Sequence, residues 1–433
     1  MNYTESLEYI HSVSWMGSRP GLSRTAELLE KIGNPHLGLK FLHVTGTNGK
    51  GSTCAMCDSV LRRAGYKVGL YTSPFVVRFN ERITVDGEPI PDSELAELTT
   101  FVRPFADSME DKPTEFELIT AIAFLCFARR GCDIVVLEVG MGGRLDSTNV
   151  IPSPVASVIT GVAIDHSAVL GNTVESIAYE KAGIIKEGCA VIYGGRDDSA
   201  FSVISKRAKE LGCNTVRTEL DSLCCKHIGT DGTVFDYKGM KDVRLSLCGS
   251  YQPENAATAI EAIGVLSQNG FPVTEQQLRD GLADAVWHAR FELLAKEPDV
   301  IFDGSHNIQG IAAACASIDA CIGGKAVILM GVLSDKDYRE MAQMVSKRAK
   351  KVFAVTPPSD RALPSRELAE LFCSLSVPSA AYDDLDKAVS DAYFEAISTK
   401  TPLVMLGSLY MYGEVVKSFE KTQKINKKSE KKG

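Results

Sequence analysis

The sequence contains few tryptophans and histidines, no long apolar run and no excess of basic residues. Only 2 tryptophans and 7 histidines occur among 433 residues, and the formal net charge is −8. This acidic balance gives no reason to expect nucleic acid or an anionic membrane surface as a partner. No stretch of roughly 18 apolar residues is present, so no membrane span is predicted. The first residues, MNYTESLEYIHSV, carry acidic side chains and predict an amphipathic helix rather than a signal peptide.

Cysteines are present but form no recognisable framework. The 12 cysteines are scattered, and most lie inside apolar runs. Together with the chain length and the lack of a secretory signal, this favours reduced thiols in a cytoplasmic protein. Cys54 and Cys57 are spaced C-x-x-C, but no second pair follows at zinc-ribbon spacing. We therefore interpret both as packing residues of a helix rather than a redox or metal site.

Short apolar runs alternate with longer helical patterns, and 433 residues are too many for one ordinary core. The runs of the first half predict strands at 40–45, 67–72, 133–139 and 155–160. Such alternation is typical of a parallel sheet with helices on its faces. Around 215–250 short polar strands between glycines predict an antiparallel excursion, and helices are predicted at 254–266 and 274–285.

The same alternation restarts in the last third of the chain. Strands are predicted there at 300–304, 325–331, 351–356 and 402–407. We therefore place a boundary at 288–298, with a large domain over 1–290, a smaller domain over 291–420 and a disordered basic tail over 421–433. The expected fold class is α/β, with a mostly parallel sheet in the first domain and a Rossmann-like α/β fold in the second.

A glycine-rich segment joins the strand at 40–45 to a predicted helix. Its residues are Gly46, Thr47, Asn48, Gly49, Lys50, Gly51, Ser52 and Thr53. A strand, a glycine turn and a helix N-terminus present backbone N–H groups to one point, and Lys50 adds a charge for phosphates. The pattern departs from G-x-x-x-x-G-K-[ST], since Val44 replaces the first glycine and Gly51 follows Lys50. It predicts a nucleoside triphosphate site, and so a P-loop-type first domain, without deciding among a kinase, a switch and a ligase.

Three further residues could carry chemistry, and each also has a structural explanation. Glu138 ends the apolar strand DIVVLE, where a Mg²⁺ ligand belongs beside a phosphate loop, but it could be a solvated strand end. His166 follows VASVIT and could be a hydrogen-bonded core imidazole. Lys181 could be a helix-surface lysine beside Glu180. From these residues alone, both interpretations stay open.

The loop GTNGKGS resembles that of the Mur ligase superfamily and, within it, the folylpolyglutamate synthase/dihydrofolate synthase family. Further segments match that family in order and across nearly the whole chain. They are PGLSRTAELLEKIGNP (20–35), TSPFVVRFNERI (72–83), EVGMGGRLDSTNV (138–150), DHSAVLGNTVESIAYEKAGIIK (165–186), GSYQPENAATAIEA (249–262), ARFE (289–292), DGSHN (303–307), GVLSDKD (331–337) and GSLYMYGEV (407–415). So many segments in one order make coincidence negligible.

The resemblance implies an ADP-forming ligase that uses ATP and Mg²⁺ to join L-glutamate to a folate or to dihydropteroate. It implies that Ser73, Glu138 and His166 hold magnesium and that Lys181 carries CO₂ as a carbamate. The implied ATP-binding residues are Thr47, Asn48, Gly49, Lys50, Gly51, Ser52, Asn255 at the adenine, Arg290 at the phosphates and Asp303 at the ribose. The implied catalytic residues are Lys50, Lys181, His166, Glu138, Arg290 and His306.

Two segments match positions that the family uses around the pterin-bearing substrate. These are TEFEL (114–118) and LDS (145–147), and the candidate residues are Phe116, Glu117, Leu145, Asp146 and Ser147. Phe116 could stack on a pterin ring, and Asp146 could bond its amino groups. Both could equally be core and cap residues.

The chain departs from the family pattern at several positions. Phe75 stands where histidine is usual, His288 and Ala289 where Pro-Gly is usual, and Ser147 where alanine is usual. None of these changes removes a phosphate or metal ligand. Phe75 leaves open whether one or both of the two acceptors are used, so a folylpolyglutamate synthase of single activity stays an alternative.

The expected mechanism transfers the ATP γ-phosphoryl group to a carboxylate, after which the glutamate amine attacks the acyl phosphate. Lys50, Arg290 and Mg²⁺ would stabilise the developing charge, and closure of the two domains would complete the site. A cell-wall ligase would need a UDP-binding domain before the loop, where 45 residues stand. A regulatory NTPase would need no phosphate-binding residues in a second domain. We expect a monomer that acts on small molecules.

Overall fold

The computed structural model describes residues 1–13, 21–165 and 167–430, except for the side chains of 167, 168 and 426–430. Contacts divide the chain into two compact units, one of Met1–Leu223 with Glu254–Val286 and one of Cys224–Pro253 with Trp287–Gly433. The last change of unit, at 286–287, lies beside the boundary predicted at 288–298. Residues 224–253, which the predicted domain over 1–290 includes, group instead with the second unit.

The first unit is built on an eight-stranded sheet. In chain order its strands are β1 (Phe41–Thr45), β2 (Val68–Tyr71), β3 (Ile83–Val85), β4 (Glu88–Pro89), β5 (Ile134–Glu138), β6 (Ala156–Ile159), β7 (Ala190–Tyr193) and β8 (Thr215–Arg217). Their order across the sheet is β4-β3-β2-β5-β1-β6-β7-β8. From β2 to β8 every neighbouring pair is parallel, and β3 and β4 add an antiparallel edge. The mostly parallel sheet predicted for the first domain is confirmed.

The helices of this unit follow the predicted pattern. In chain order they are α1 (Tyr3–Ser12), α2 (Ser23–Lys31), α3 (Lys50–Arg63), α4 (Asp92–Ser108), α5 (Glu115–Arg130), α6 (Ser167–Leu170), α7 (Val174–Ala182), α8 (Asp198–Glu210), α9 (Gln252–Gln268) and α10 (Glu275–Ala283). Helix α5 shows how they pack: its Phe124 ring lies 5.6 Å from that of Phe41 on β1, centroid to centroid, and both rings are buried. Each such burial stabilises the fold by about 1.5–3 kcal/mol.

The second unit contains two sheets. The antiparallel excursion predicted near 215–250 forms a three-stranded sheet of β9 (Cys224–Gly229), β10 (Gly232–Tyr237) and β11 (Met240–Leu245). The larger sheet has the order β12-β13-β17-β14-β15-β16. Its strands are β12 (Glu292–Ala295), β13 (Val300–Asp303), β14 (Ala326–Met330), β15 (Ala349–Val355), β16 (Ser379–Tyr382) and β17 (Leu403–Leu406). All its pairs are parallel except β12 with β13, so the predicted α/β class is confirmed here too.

The helices of the second unit end in a long C-terminal one. They are α11 (Ile308–Cys321), α12 (Tyr338–Ser346), α13 (Ser365–Ser374), α14 (Leu385–Thr399) and α15 (Tyr412–Glu430). The disordered tail predicted at 421–433 therefore does not describe residues 421–430, which continue α15. The helix starts on a packed stretch, where Phe419 is buried against Tyr393, and its lysines and glutamates favour continuation. No helix in the described part of the chain is long and apolar enough to cross a membrane.

Candidate functional site

The glycine-rich segment forms a turn between β1 and α3, as predicted. Gly49 lies at the N-cap of α3 with φ of 86°, a left-handed conformation that glycine adopts without penalty. A Cβ at Gly49 would also collide with the side-chain amide of Asn255, which α9 places against the turn. The implied adenine contact Asn255 and the phosphate loop are therefore neighbours within the first unit.

The segment after β6 braces the phosphate loop from one side. Thr160 donates its hydroxyl to the Asn48 carbonyl at 2.6 Å, and the Thr47 N–H donates to the Gly161 carbonyl at 2.8 Å. The Thr47 hydroxyl also donates to the Ala163 carbonyl at 3.1 Å. These bonds fix the course of the loop, so its N–H groups need little reorganisation to receive an anion.

Lys50 is the cation of the loop. Its Nζ donates to the carbonyl oxygens of Gly46 at 3.0 Å and Thr47 at 3.3 Å, so the side chain lies folded over the turn. Ser52 and Thr53 follow in the first turn of α3 and are buried. An ammonium held this way above a glycine turn is the arrangement that binds the distal phosphates of a nucleotide.

Glu138 and Ser73 lie at the same sheet edge as the loop. β5 is the neighbour of β1, with Glu138 paired to Val44. The Ser73 N–H, which follows β2, donates to Glu138 Oε2 at 3.0 Å, and Glu138 is only 4% exposed. Because the carboxyl ends of parallel strands share one edge, the structure brings these two predicted metal ligands to the phosphate loop. The third, His166, lies outside the described residues.

Side chains that could bind a metal ion do not gather into a ligand cluster within the described residues. Over residues 1–13, 21–165 and 167–430, no three His, Cys, Asp or Glu side chains cluster closely enough to hold an ion. Protein-bound Mg²⁺ commonly takes one or two carboxylates and completes its shell with phosphates and water. Glu138, beside the phosphate loop, is a buried carboxylate of that kind. Cys54 and Cys57 are both buried in α3, and burial raises the pKa of each thiol, which suits packing.

Lys181 is buried rather than exposed on its helix. It lies near the end of α7 and is 3% exposed. Burial, and then the charge of Lys50, lower the pKa of Lys181 to about 7, while Asp165 and Asp146 act in the opposite sense. Its amine is therefore substantially neutral near pH 7 and nucleophilic. The interpretation of Lys181 as a surface lysine does not hold.

Phe116 and Asp146 lie together over Gly140. A Cβ at Gly140 would sit 2.6 Å from Phe116 Cζ and 3.1 Å from Asp146 Oδ2, so only glycine leaves them room. Both side chains are half-buried, and the Phe116 ring lies 6.0 Å from that of Tyr71. Asp146 Oδ2 accepts the Met141 N–H at 2.9 Å. An aromatic face beside a carboxylate can hold a flat ring that carries N–H donors.

The other residues predicted around the acceptor have local structural roles. Glu117 is buried, accepts from Arg24 at 2.8 Å and caps α5 through the Thr114 N–H at 2.7 Å. These contacts account for Glu117 without a substrate. Ser147 is buried in the single 3₁₀ turn of Ser147–Val150, and Leu145 is half-buried just before it. Of the five candidates, Phe116 and Asp146 have the exposure and chemistry to meet a ligand.

In the second unit, Arg290 lies in a turn with unusual backbone geometry. Its neighbours Ala289 and Phe291 have φ of 59° and 46°, values that residues other than glycine seldom adopt. Glu292 Oε2 accepts the Ala289 N–H at 2.7 Å and the Tyr412 hydroxyl at 2.8 Å. Each strained residue has its N–H bound to a carboxylate, since Asp303 accepts the N–H of Phe291 at 2.9 Å. We call residues 289–291 the Arg290 turn.

Asp303 and His306 lie next to this turn, between β13 and α11. Asp303 is fully buried and also accepts from the Tyr251 hydroxyl and the Ser305 N–H, both at 2.8 Å. Nδ1 of His306 lies 2.9 Å from the Gly304 carbonyl oxygen, so Nδ1 carries a proton and donates it to that oxygen. Arg290 Nη1 lies against Gly304. The three predicted residues of the second unit therefore form one cluster.

Several residues that shape these sites were not predicted from the sequence. Thr160 braces the loop from the end of a predicted strand, and Glu292 holds the Arg290 turn from within the recognised segment ARFE. Thr148 and His43 lie behind Asp146. Glu292 and Thr148 lie in segments that resemble the family, and Thr160 and His43 lie in predicted strands, but their hydrogen-bond partners were not visible in the sequence.

Two family models match the chain. The Mur ligase middle domain matches residues 44–263, and the glutamate ligase domain of Mur ligases matches residues 289–409. The first match contains the phosphate loop, Glu138, Asp146 and Lys181, and the second begins at the Arg290 turn. The two clusters described above therefore fall in separate family domains.

Known proteins resemble the chain over nearly all of its length. Folylpolyglutamate synthase of Lacticaseibacillus casei is 38% identical over 96% of this chain and 98% of its own. The dihydrofolate synthase/folylpolyglutamate synthase of Bacillus subtilis is 34% identical over the same shares. Among solved structures, Escherichia coli FolC in complex with DHPP and ADP has a TM-score of 0.84 at 28% identity and covers 98% of this chain and 99% of that one.

Proposed function

The chain belongs to the folylpolyglutamate synthase/dihydrofolate synthase family of Mur ligases, whose members are ADP-forming ligases, and we propose that it adds L-glutamate to tetrahydrofolate and to dihydropteroate at the expense of ATP. One observation carries the proposal: the phosphate loop shares a sheet edge with the buried Glu138 and the half-buried Ser73 that donates to it. This edge provides a phosphate cradle and an oxygen donor set within one unit.

The reaction has two steps. An oxygen of the acceptor carboxylate attacks the γ-phosphorus of ATP, the bond from that phosphorus to the β,γ-bridging oxygen breaks, and ADP leaves. The glutamate amine then attacks the acyl carbon, the bond from that carbon to the phosphate oxygen breaks, and inorganic phosphate leaves as the amine loses its proton. Lys50 and the loop N–H groups face the oxygens on which negative charge accumulates in the first step, and stabilise it.

The residues at the sheet edge fit a magnesium ion. Glu138 supplies a buried carboxylate, and Ser73 and the loop hydroxyls supply further oxygens, which a hard cation prefers. Histidine is a poor partner for Mg²⁺ alone, so His166 would act beside Glu138 and phosphate oxygens. When bound, the ion neutralises charge on the β- and γ-phosphates. Glu138 would hold it, and the Ser73 N–H keeps that carboxylate oriented.

Lys181 is proposed to carry CO₂ as a carbamate. Its nitrogen attacks the carbon of CO₂, one C–O double bond opens to an oxyanion, and the ammonium proton is released to solvent. The burial of Lys181 and the charge of Lys50 support this, because they keep the amine neutral near pH 7. The carbamate anion would then face Lys50, converting a repulsive pair of cations into an ion pair at the phosphate loop.

The second unit is proposed to supply the remaining nucleotide contacts. Arg290 would bind phosphate oxygens with its planar fork, and His306 would lie in the same phosphate region. Asp303 Oδ1 accepts one N–H, from Ser305, and so retains a lone pair; because Asp303 is fully buried, a ribose hydroxyl would reach it only if the residues that cover it moved. Asn255, already in contact with the loop, would meet the adenine. Arg290 and Asp303 belong to a different unit from Lys50 and Asn255.

The acceptor is proposed to bind through its pterin ring. Phe116 offers a face for stacking, and Asp146 an acceptor for ring N–H groups. Dihydropteroate and tetrahydrofolate differ in the reduction of the pyrazine ring but share the pyrimidine edge with its N–H donors, so one site is proposed for both glutamate additions. The alternative is an enzyme that acts on folates alone, for which the Lacticaseibacillus casei relative is named.

The test is ADP release by the purified protein with ATP, Mg²⁺ and L-glutamate, and either dihydropteroate, tetrahydrofolate or no pterin. We expect release that depends on both the pterin and glutamate, with each pterin serving. Release with tetrahydrofolate alone would favour the single activity, and release without any pterin would contradict the ligase. Lys50→Ala should lose at least about a thousandfold in kcat with unchanged melting, since it removes the charge that meets the phosphates.

A further inference from the structure

A buried chain of hydrogen bonds lies behind Asp146. His43, in the middle of β1, is fully buried, and its Nε2 lies 2.9 Å from the Thr148 hydroxyl. That hydroxyl donates to Asp146 Oδ1 at 2.6 Å. Thr148 is itself fully buried, so neither side chain can meet a ligand directly. Asp146, at the end of this series of hydrogen bonds from His43 through Thr148, is the only one of the three side chains that is partly exposed.

The protons of this chain can be assigned. The Thr148 hydroxyl has one hydrogen, which the short bond to Asp146 uses. His43 must therefore donate its Nε2–H to the Thr148 oxygen. Burial lowers the pKa of His43 to about 3, so the ring is neutral and Nδ1 carries a lone pair. In the described part of the chain Nδ1 has no hydrogen-bond partner, which leaves Thr148 as the ring's one polar contact.

Asp146 is consequently surrounded by donors. Oδ1 accepts the hydroxyl and the N–H of Thr148, the latter at 3.0 Å, and Oδ2 accepts the Met141 N–H at 2.9 Å. Burial raises the pKa of Asp146 above its ordinary value, and these bonds oppose that rise without cancelling it, so each donor favours the ionised form. Other titratable groups near the carboxylate are Lys181 on α7 and Tyr71 on β2. By side-chain geometry Oδ1 accepts two bonds and Oδ2 one, with the Gly140 N–H a further donor to the carboxylate, so Oδ2, which lies with Phe116 over Gly140, is the oxygen left to meet a ligand.

We propose that His43 and Thr148 are positioning residues that hold Asp146 as an ionised, fixed acceptor for a ring N–H of the pterin. The inference rests on the proposed function, since it assigns the acceptor-binding carboxylate of that reaction. The ligand class it selects is a flat heterocycle with an N–H donor at its edge. A ring that presents an acceptor there would face an ionised carboxylate and be rejected.

Thr148→Val removes the hydroxyl while keeping the shape of the side chain, and Thr148→Ser restores it. We expect the KM for dihydropteroate or tetrahydrofolate to rise about tenfold in the valine variant, with the KM for ATP unchanged. Asp146 must be ionised to accept, and losing a donor raises its pKa further. The acidic limb of kcat/KM for the pterin should therefore move to higher pH in the valine variant and return in the serine variant.

A second pair of variants keeps the test decisive if Thr148→Val fails to fold. His43→Gln keeps a nitrogen donor near the Nε2 position, and His43→Leu removes it. We expect the glutamine variant to retain a lower KM for the pterin and a more acidic limb than the leucine variant. Thermal melting of all four variants separates these effects from a loss of fold, because destabilisation alone does not move a pH limb.

The outcomes separate the inference from the function on which it rests. If the wild type shows no ADP release that depends on pterin and glutamate, the proposed function fails. If the wild type is active and every variant shows the wild-type KM for the pterin and the wild-type acidic limb, then His43 and Thr148 do not position Asp146 and the inference is overturned. A rise in the KM for ATP equal to that for the pterin would also overturn it.

Discussion

The phosphate loop and the Arg290 turn each place one cation, but they reach their backbone conformations by different means. In the loop the left-handed residue before Lys50 is a glycine, with φ of 86°. In the turn the residues on both sides of Arg290 are Ala289 and Phe291, with φ of 59° and 46°. Each left-handed residue with a Cβ costs roughly 1–2 kcal/mol. The loop's shape is therefore encoded in its own residues, whereas the turn is held in shape by its surroundings.

The carboxylates of Glu292 and Asp303 are what hold the turn. They accept the N–H groups of Ala289 and Phe291, at 2.7 Å and 2.9 Å. A hydrogen bond to a charged group is worth about 1.5–3 kcal/mol, which is enough to offset the strain at each residue. A cation can therefore be positioned either by a glycine or by carboxylates that accept the N–H groups of strained residues; we call Glu292 and Asp303 the clamp. Adding a side chain should damage the glycine turn, whereas removing a carboxylate should damage the Arg290 turn.

After Lys50→Ala, the largest effect should come from Lys181, which lies near Lys50 of the phosphate loop. Lys181→Ala should lower kcat at least about a hundredfold, because a carbamate opposite Lys50 is lost. Since the pKa of Lys181 is lowered to about 7, its neutral fraction grows as pH rises through 7. At fixed dissolved CO₂, wild-type activity should rise across that range and fall in CO₂-free buffer, with recovery on adding bicarbonate.

Lys186 provides the control for this prediction. Burial lowers the pKa of Lys186 to about 8, but its Nζ already donates to the Asn149 carbonyl at 2.8 Å. Lys186→Met should leave the bicarbonate dependence intact. Wild-type kcat that is indifferent to CO₂ removal would exclude the carbamate.

Gly49→Ala puts a Cβ where the loop has none. The new methyl group would be both strained and in collision with the Asn255 amide. We expect the KM for ATP to rise about tenfold or more, together with a stability loss of about 1–2 kcal/mol. Gly65→Ala is the matched control, because Gly65 has φ of 91° and no atom within 4 Å of the Cβ position. Gly65→Ala should lose similar stability and keep the wild-type KM for ATP. An equal rise in the KM for ATP in both variants would mean that the contact with Asn255 has no specific role.

Glu292→Gln weakens the clamp on the Arg290 turn. Losing the charge that receives the Ala289 N–H and the Tyr412 hydroxyl should lower kcat/KM for ATP about tenfold and stability by about 1–3 kcal/mol. Glu367→Gln is the control, since Glu367 also accepts from a tyrosine, Tyr338 at 2.8 Å, but on the surface. Steady-state kinetics and thermal melts of Glu292→Gln and Glu367→Gln measure the two losses. Matching losses would mean that the clamp has no specific role.

Ala289→Gly is the smallest change and the reciprocal of Gly49→Ala. Relief of strain outweighs the added freedom of the unfolded chain, so stability should rise by about 0.5–1 kcal/mol with activity within about twofold. Lys400→Gly, at φ of 49° in the C-cap of α14, should give a similar gain. Denaturant unfolding of both variants measures this. A marked loss of activity only in Ala289→Gly would mean that the alanine itself contributes to holding Arg290.

The same contrast explains what the sequence could predict. The strand at 40–45, the glycine turn and the helix from Lys50 rest on local signals, and the structure places all three as expected. Phe291 carries no local sign of a left-handed backbone, and Ala289 carries one only through the glycine that is usual at its position in the family. One of the groups that fix Glu292 is Tyr412, which is 120 residues away in the chain. Contacts at that separation leave no periodic pattern in the sequence.

Long-range contacts also account for the other differences. Glu117 lies in a segment that resembles the acceptor site of the family, but its T-x-x-E spacing from Thr114 is also the pattern of a helix cap, and the cap is what the structure shows. Its ion pair with Arg24, 93 residues distant, could not. The strands near 215–250 were predicted, but which unit they join depends on packing alone. The role of Asp146 stayed undecided from the sequence because its partner His43 is 105 residues from Thr148.

The chain passes between the two units three times, at 223–224, 253–254 and 286–287. No single cut therefore separates them. A fragment that ends at 286 keeps the sheet of β9 to β11 without the unit to which it belongs, and a fragment that begins at 287 lacks that sheet. Exchange of the second unit between relatives would require three junctions, one at each passage, so a chimera that replaces only 287–430 would combine it with the β9–β11 sheet of the other parent.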